Sequence, residues 1–189
     1  TIEYVEIIAN QDDGIEWFGG TVNVKNAVIM NVGDDAVDTD QEWAGTLDNF
    51  IVINPFDKCF ELDGAEGTTE NLKHTIINGH IKVGGAQGLL DVDTGKGDAD
   101  TQADFDGFYY YGISDDNSPS KAEYSAKCTY GTFEITPGVD EDEVARTKDM
   151  FVATELLASF TEVTAATNEG ADPSAFTAGW SWAAAAGAF

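Results

Sequence analysis

The sequence predicts an all-β chain wound as a right-handed parallel β-helix of about five coils, followed by a C-terminal helix and an irregular tail. Three observations support this fold class. Short segments of similar pattern recur along the first two thirds of the chain, and these segments are rich in Val, Ile, Thr and aromatic residues, which favour strands. The 189 residues also include 20 glycines, as expected of a chain with many turns.

The repeat is visible as runs of β-branched residues that end in asparagine. These asparagines are Asn10, Asn31, Asn54 and Asn78, spaced by 21, 23 and 24 residues, and a second strand-like segment follows each of them. A unit of this length cannot bury its own apolar face and must stack on its neighbours. The leucine pattern of leucine-rich repeats is absent, and so are the hexapeptide and GGxGxD repeats of other β-helices. A solenoid with wide coils is therefore the prediction.

Alignment of the second strand-like segments predicts columns of side chains. Because side chains alternate between the two faces of a strand, every second residue of these segments points into the solenoid. These inward residues form two apolar columns. The residue between them is acidic in every copy and is predicted to face outward. The first interior column is Ile15, Val37, Phe60, Leu90 and Phe133; the second is Trp17, Thr39, Leu62, Val92 and Ile135; the acidic ladder is Glu16, Asp38, Glu61, Asp91 and Glu134. Like charges on adjacent coils repel, so this ladder is either a salt-screened, solvated surface or a face that binds cations.

The C-terminal part of the chain has a different pattern, which divides the sequence into a β-helix over residues 1–139 and a segment over 140–189. The strands before the asparagines are apolar on both faces, so the sheet they form needs an outer cover. Asp140 and Glu143 have the spacing of a capping box, and Val144, Phe151, Leu156 and Phe160 recur near helical spacing. We expect a helix over about 140–160 that packs on the solenoid or caps its last coil.

Charge excludes one class of partner. The chain has 35 acidic and 9 basic side chains, for a net charge of −26, whereas a nucleic-acid-binding surface needs a cationic face. No apolar stretch has the length of a membrane span. The chain starts at Thr1 rather than Met, so we expect a processed product or an incomplete chain. The two cysteines, Cys59 and Cys128, permit either one disulfide or two free thiols.

A glycine-rich acidic loop is the candidate metal site. It contains Asp91, Asp93, Asp98 and Asp100 within ten residues. Ca²⁺ takes six to eight oxygen ligands on flexible loops, although the offsets are not those of an EF-hand. The sequence therefore predicts bound Ca²⁺ here, with a solvated acidic loop as the alternative.

The sequence also contains candidate residues for a catalytic site and for a sugar-binding site. Asp34, Asp35 and Asp38 supply the paired carboxylates of a polysaccharide hydrolase, but few cationic residues are available to hold an anionic polymer. Trp43 and Tyr110 are candidates for stacking against sugars. Because side chains alternate along a strand, either Tyr110 alone or its neighbours Tyr109 and Tyr111 would be buried. The alternative is therefore that these tyrosines have a structural role.

Two segments carry a family resemblance. Residues 12–25 read DDGIEWFGGTVNVK and residues 33–40 read GDDAVDTD. They resemble a family of largely uncharacterised exported bacterial surface proteins and lipoproteins, found in Bacteroidota and other marine or surface-living bacteria, whose pattern is DDGIEFFGGTVNVKY followed by GDDSFDxD. The match covers residues 1–67 and 170–183. It implies an exported, surface-associated parallel β-helix, and the family has no established reaction to carry over.

The sequence as a whole predicts a non-catalytic protein located outside the cell or on its outer surface. It would act in surface assembly, adhesion or glycan binding, stabilised by Ca²⁺, with other surface proteins, its own copies or a glycan as partner. The alternative is a polysaccharide hydrolase or lyase built on the same scaffold.

Overall fold

The computed structural model describes the backbone of residues 1–63, 72–83, 88–93, 103–111, 128–130, 133–135, 160–162 and 170–189. Side chains are described in the same ranges, except at 63, 88–93, 108, 128–130, 133–135 and 160–162. Within these ranges, no helix is long and apolar enough to cross a membrane.

Two parallel sheets form the body of the protein. The longer sheet has six described strands, in the spatial order β1, β3, β5, β7, β9 and β12. Its strands are β1 (Ile2–Ile8), β3 (Val24–Met30), β5 (Thr46–Ile53), β7 (His74–Lys82), β9 (Ala103–Tyr111) and β12 (Phe160–Glu162). The shorter sheet has the order β2, β4, β6 and β8, with β2 (Ile15–Phe18), β4 (Val37–Asp40), β6 (Lys58–Asp63) and β8 (Gly88–Asp93). Because the chain alternates between the sheets, the described fold is a parallel β-helix.

The register of the shorter sheet agrees with the predicted columns through four coils. Val37 lies opposite Ile15 and Phe60, and Phe60 lies opposite Leu90. The acidic residues between the two apolar columns are also in register, because Glu16 pairs with Asp38, Asp38 with Glu61 and Glu61 with Asp91. Equivalent residues of adjacent coils thus lie opposite each other at the spacing between parallel strands.

The predicted fifth copy is wrong. Strand β11 (Phe133–Ile135) pairs antiparallel with β10 (Cys128–Tyr130), and Glu134 lies opposite Thr129 in this separate pair. Glu134 is therefore not part of the acidic ladder. The predicted helix is also wrong at Phe160, which lies in β12 and pairs with β9, while positions 140–159 lie outside the described residues.

The longer sheet contains a column of asparagines whose members differ from those predicted from the sequence. One residue in each of five successive strands has a left-handed backbone, with φ of 58° at Tyr4, 58° at Asn26, 60° at Asn49, 60° at Asn78 and 70° at Gly107. Asparagine and glycine tolerate this conformation better than other residues, which explains their recurrence here. We call Asn26, Asn49 and Asn78 the asparagine ladder. The predicted column joined Asn78 to Asn54, but the register places Asn78 opposite Asn49.

The described residues form one apolar core inside the solenoid and a second on its outside. The inner core joins both sheets, for example through the edge-to-face rings of Phe50 and Phe60, whose centroids are 6.0 Å apart. The outer core covers the other face of the longer sheet, as its two-sided apolar strands require. It consists of Val28, Met30, Ile51 and Ile53 from the sheet and Ala171, Phe176 and Ala183 from the C-terminal tail. Residues 170–189 are therefore a cover for this sheet.

A single carboxylate from the first strand holds the end of the tail. The tail contains a 3-10 helix, Pro173–Ala175, and a short helix α1, Trp182–Ala186. Glu6 accepts hydrogen bonds from the Ser181 hydroxyl at 2.7 Å and from the backbone N–H groups of Trp182 and Ala183 at 2.9 and 3.0 Å. An anion at a helix start satisfies N–H groups that have no partner within the helix. Glu6 thus fixes the tail against β1.

Cys59 does not form a disulfide, which decides between the two alternatives that the sequence left open for the cysteines. It is a buried free thiol, and burial raises its pKa above the ordinary value. A thiol in such surroundings is unreactive and packs as a small apolar side chain.

Candidate functional site

The acidic groups that come together in this structure lie in the turn that leads into the shorter sheet. Each of the first three coils has two polar residues in this turn: Asp12 and Asp13, Asp34 and Asp35, and Asp57 and Lys58. We call these six residues the acidic turn column. Gly33 allows the coils to approach closely here, because a Cβ atom at this position would lie 2.5 Å from the backbone oxygen of Gln11.

Hydrogen bonds within the column run from each coil to the next. An oxygen of Asp13 accepts from the backbone N–H of Asp35 at 3.0 Å, and an oxygen of Asp35 accepts from the N–H of Lys58 at 2.6 Å. The buried Lys58 ammonium forms an ion pair with Asp57. Two of the aspartates therefore satisfy backbone groups of the following coil, where the turn interrupts the strand ladder.

Burial and like charge raise the pKa of several of these carboxyls. Asp35 is only 4% exposed, and its burial together with the neighbouring Glu61 raises its pKa from 3.8 to about 9. The two side chains are hydrogen bonded, so the pair holds a proton at neutral pH. Burial, followed by the charges of neighbouring aspartates, also raises the pKa of Asp13 and of Asp34.

Among the residues that the structure describes, three groups of carboxylates are close enough to share a cation. In each group, the nearest oxygens lie within 4.8 Å of one another. The groups are Asp12, Asp13 and Asp34; Asp34, Asp35 and Asp57; and Asp13, Glu16 and Asp38. Oxygen atoms in such clusters are the ligands that Ca²⁺ prefers.

The three predicted catalytic residues do not form a single open site. Asp34 and Asp35 belong to one group with Asp57, whereas Asp38 belongs to another with Asp13 and Glu16. Asp38 was predicted to face solvent, but it is 6% exposed and lies close to Asp13 and Glu16. Asp12, Asp13 and Asp57 were not among the site residues predicted from the sequence. Their signal was the acidic pair that recurs at 12–13 and 34–35 and continues in Asp57.

Both predicted sugar-stacking residues are buried, so that interpretation is wrong for them. Trp43 is 1% exposed; its ring stacks on Trp17 with centroids 4.2 Å apart, and its N–H donates to the Val22 carbonyl at 2.9 Å. Tyr110 is 4% exposed, while Tyr109 and Tyr111 are half-buried, which is the alternation that leaves Tyr110 alone in the core. A ring enclosed on both sides has no face left for a sugar.

The predicted calcium loop is only partly within the described residues. The backbones of Asp91 and Asp93 lie in β8, opposite Glu61 and Asp63. Asp98 and Asp100 lie outside the described residues. Calcium binding by this loop stays a prediction.

Both histidines are buried, as a structural role requires. His74 is 3% exposed beside the Trp43 ring, and His80 is 5% exposed. Burial lowers the pKa of His74 to about 4, so the imidazole is neutral at physiological pH.

The stacked parallel sheets agree with a comparison of the chain with known protein families. A family model described as "Pectate-lyase like beta helix domain" matches residues 1–184. The chain belongs to this family. No curated protein and no solved structure matches it. As a pectate-lyase-like β-helix domain, it is compatible with a surface or polysaccharide-related role, and the family alone does not choose between binding and catalysis.

Proposed function

We propose that this pectate-lyase-like domain is a non-catalytic β-helix that acts outside the cell or on its outer surface. It works by display and association, in surface assembly, adhesion or glycan recognition, with surface proteins, further copies of itself or a glycan as partner. The net charge of −26 and the parallel β-helix support this proposal, since a strongly anionic solenoid offers extended faces for association and no surface for nucleic acid.

The observation that carries the proposal is the burial of the candidate catalytic carboxylates. Asp35 and Asp38 are 4% and 6% exposed, and Asp35 binds the backbone of the next coil. A general acid or base must come within hydrogen-bond distance of the substrate atom that it protonates or deprotonates. These two side chains are enclosed by the fold instead, so we assign them to a structural role.

The test is a turnover assay with soluble polysaccharides, both neutral and uronate-containing, with and without Ca²⁺. We expect no new reducing ends and no unsaturated uronate products. Turnover that disappears in Asp34→Asn and in Asp38→Asn, but not in Asp106→Asn on the exposed surface of β9, would contradict the proposal.

The enzyme alternative has one observation in its favour. Asp35 carries a proton at neutral pH beside Asp34 and Asp57, and a general acid of a glycosidase needs a raised pKa. However, glycosidase carboxylates are separated by about 5–5.5 Å or about 6.5–9.5 Å to admit the sugar or water. Oxygens within 4.8 Å of each other are also close enough to share a proton or a cation. The same turnover assay decides between the two functions.

Calcium is the cation that we propose for the acidic turn column. The column brings five carboxylates together on three coils, and a divalent ion would relieve their mutual repulsion. A ligand that binds only the folded state at 100 times its Kd stabilises by about 2.7 kcal/mol, or about 5–10 °C in Tm for a chain of this length.

We therefore expect millimolar Ca²⁺ to raise Tm by about that amount relative to EDTA. Asp34→Asn should reduce the gain, because Asp34 belongs to two of the three groups. Asp106→Asn, which removes one exposed carboxylate elsewhere, should leave the gain intact. A thermal melt that is the same in Ca²⁺ and in EDTA would rule out calcium stabilisation.

A further inference from the structure

A polar groove lies on the outer face of the longer sheet, away from the acidic turn column. It has a volume of about 780 Å³ and runs between the asparagine ladder and residues 170–175 of the tail. Its lining includes Tyr4, Lys25, Asp48, Asn78 and Asp172. Ligand sites are typically concave and of about 300–1,000 Å³, so the groove has room for several sugar units.

The floor of the groove is held in place by hydrogen bonds between coils. Asn49 donates to the side-chain oxygen of Asn26 at 2.6 Å and accepts from the backbone N–H of Asp172 at 2.6 Å. Asn26 and Asn49 are 4% and 6% exposed. The tail meets the sheet closely at Gly170, where a Cβ atom would lie 2.3 Å from the Gly79 oxygen. The two walls are thus fixed relative to each other before any ligand binds, which lowers the cost of binding.

A second set of contacts orients polar groups at the surface of the groove. The Lys25 ammonium lies 2.8 Å from one oxygen of Asp48, and the Asn78 amide donates to the other oxygen at 2.7 Å. An ammonium has three hydrogens, and a carboxylate oxygen has more than one acceptor position, so these groups can also bind ligand hydroxyls. Asp172 opposes them from the tail and interacts electrostatically with Lys25.

The charge of the groove argues against an anionic ligand. One lysine faces two carboxylates, Asp48 and Asp172, so the local balance is negative. A phosphate or a uronate would need at least one cation that is not already balanced. A neutral molecule with many hydroxyls has no such requirement.

An exposed aromatic ring completes the lining. Tyr4 is 53% exposed, and its ring packs edge-to-face against Trp180 with centroids 5.5 Å apart and planes at 78°. Trp180 is itself held by its indole N–H, which donates to the Ala175 carbonyl at 2.8 Å. Because Tyr4 is half exposed, part of its ring surface is available for contact, in contrast to the enclosed ring of Trp43.

We propose that this groove binds a neutral oligosaccharide, with one sugar ring against Tyr4 and its hydroxyls on Lys25, Asp48 and Asn78. The inference rests on the proposed function and deepens it, since it places glycan recognition at a site other than the buried Trp43 and Tyr110. The proposed ligand contacts come from four strands of the longer sheet, so the folded solenoid is required for binding.

The test uses the full chain and isothermal titration calorimetry with cellohexaose, xylohexaose, mannohexaose and laminarihexaose as neutral probes and hexagalacturonate as the anionic probe. We expect at least one neutral probe to bind and to change the tryptophan fluorescence of the chain. Tyr4→Ala should weaken that binding by about tenfold or more, whereas Tyr4→Phe should retain it. Phe56→Ala removes a ring that is 66% exposed outside the groove, and it should change binding less than about twofold.

The assignment is overturned if no neutral probe binds, if Tyr4→Ala binds as well as the unaltered chain while remaining folded, or if hexagalacturonate binds more tightly than every neutral probe. Cleavage of a probe would contradict the proposed non-catalytic function. It would leave the groove assignment standing only if Tyr4→Ala also weakens binding by about tenfold or more, so the two failures can be told apart.

Discussion

Replacing Trp43 by alanine is expected to lower the free energy of unfolding by about 3–5 kcal/mol, the range measured for large aromatic side chains removed from a core. Trp43 is 1% exposed, stacks on Trp17 with planes 16° apart and lies 5.2 Å from the His74 ring. Its loss would leave a cavity and would also leave the Val22 carbonyl without the indole donor. For a chain of this length the change corresponds to a fall in Tm of about 6–20 °C.

Trp182→Ala is the matched control for this substitution. Trp182 is 62% exposed on α1, so the same chemical change there should alter stability by less than about 0.5 kcal/mol. Urea unfolding followed by circular dichroism measures both variants. Equal stability of Trp43→Ala and the unaltered chain would contradict the core assignment and would restore Trp43 as a candidate ligand-binding residue.

Asp35→Asn is expected to stabilise the protein at alkaline pH. Asparagine has nearly the shape of protonated aspartate, and it can accept from the Lys58 N–H and donate to Glu61 as the protonated carboxyl does. The unfolded Asp35 loses its proton near pH 3.8, whereas the folded one retains it to about pH 9. Between these values the folded state binds more protons, so this group makes stability fall as pH rises.

The variant removes that dependence because its amide does not titrate. We expect Asp35→Asn to match the unaltered chain near pH 4 and to be more stable at pH 8, with a Tm higher by about 4 °C or more. Melts should be recorded in EDTA, so that a bound cation does not offset the charge. Asp106→Asn removes the same charge from an exposed position and should show the pH dependence of the unaltered chain. A lower Tm for Asp35→Asn at pH 8 would mean that the carboxylate is ionised in the fold.

The shorter sheet was predictable from sequence because its first strands repeat with almost no change of spacing. Val37 pairs with Ile15 and Phe60 pairs with Val37, and the two pairs have nearly the same separation along the chain. In a parallel solenoid, equivalent residues of adjacent coils meet the same neighbours, so they keep the same chemical type. The alternation of apolar and acidic residues was therefore sufficient to place four coils in register.

The longer sheet was misaligned because the coils change length. Val24 pairs with Leu47, whereas Thr46 pairs with Thr75, which is appreciably farther along the chain. Extra residues in a turn cost little in loop entropy, so a solenoid accepts them without losing strand pairing. A repeat of nearly constant length therefore predicted, wrongly, that Asn78 lies opposite Asn54. The left-handed backbone at Asn26, Asn49 and Asn78, which explains their recurrence, appears only in the folded structure.

The sequence by itself determined that this chain is a stack of short parallel strands, which residues alternate on each strand, and that one face of the longer sheet needs a cover. These properties follow from local periodicity and from the rule that apolar faces are buried. The tertiary structure decided what covers each face. Asp172 reaches Asn49 across 123 residues of chain, and Glu6 reaches Ser181 across 175. Burial of a side chain depends on such distant segments, so only the fold could show that Trp43 and Asp35 are enclosed and that Tyr4 is open.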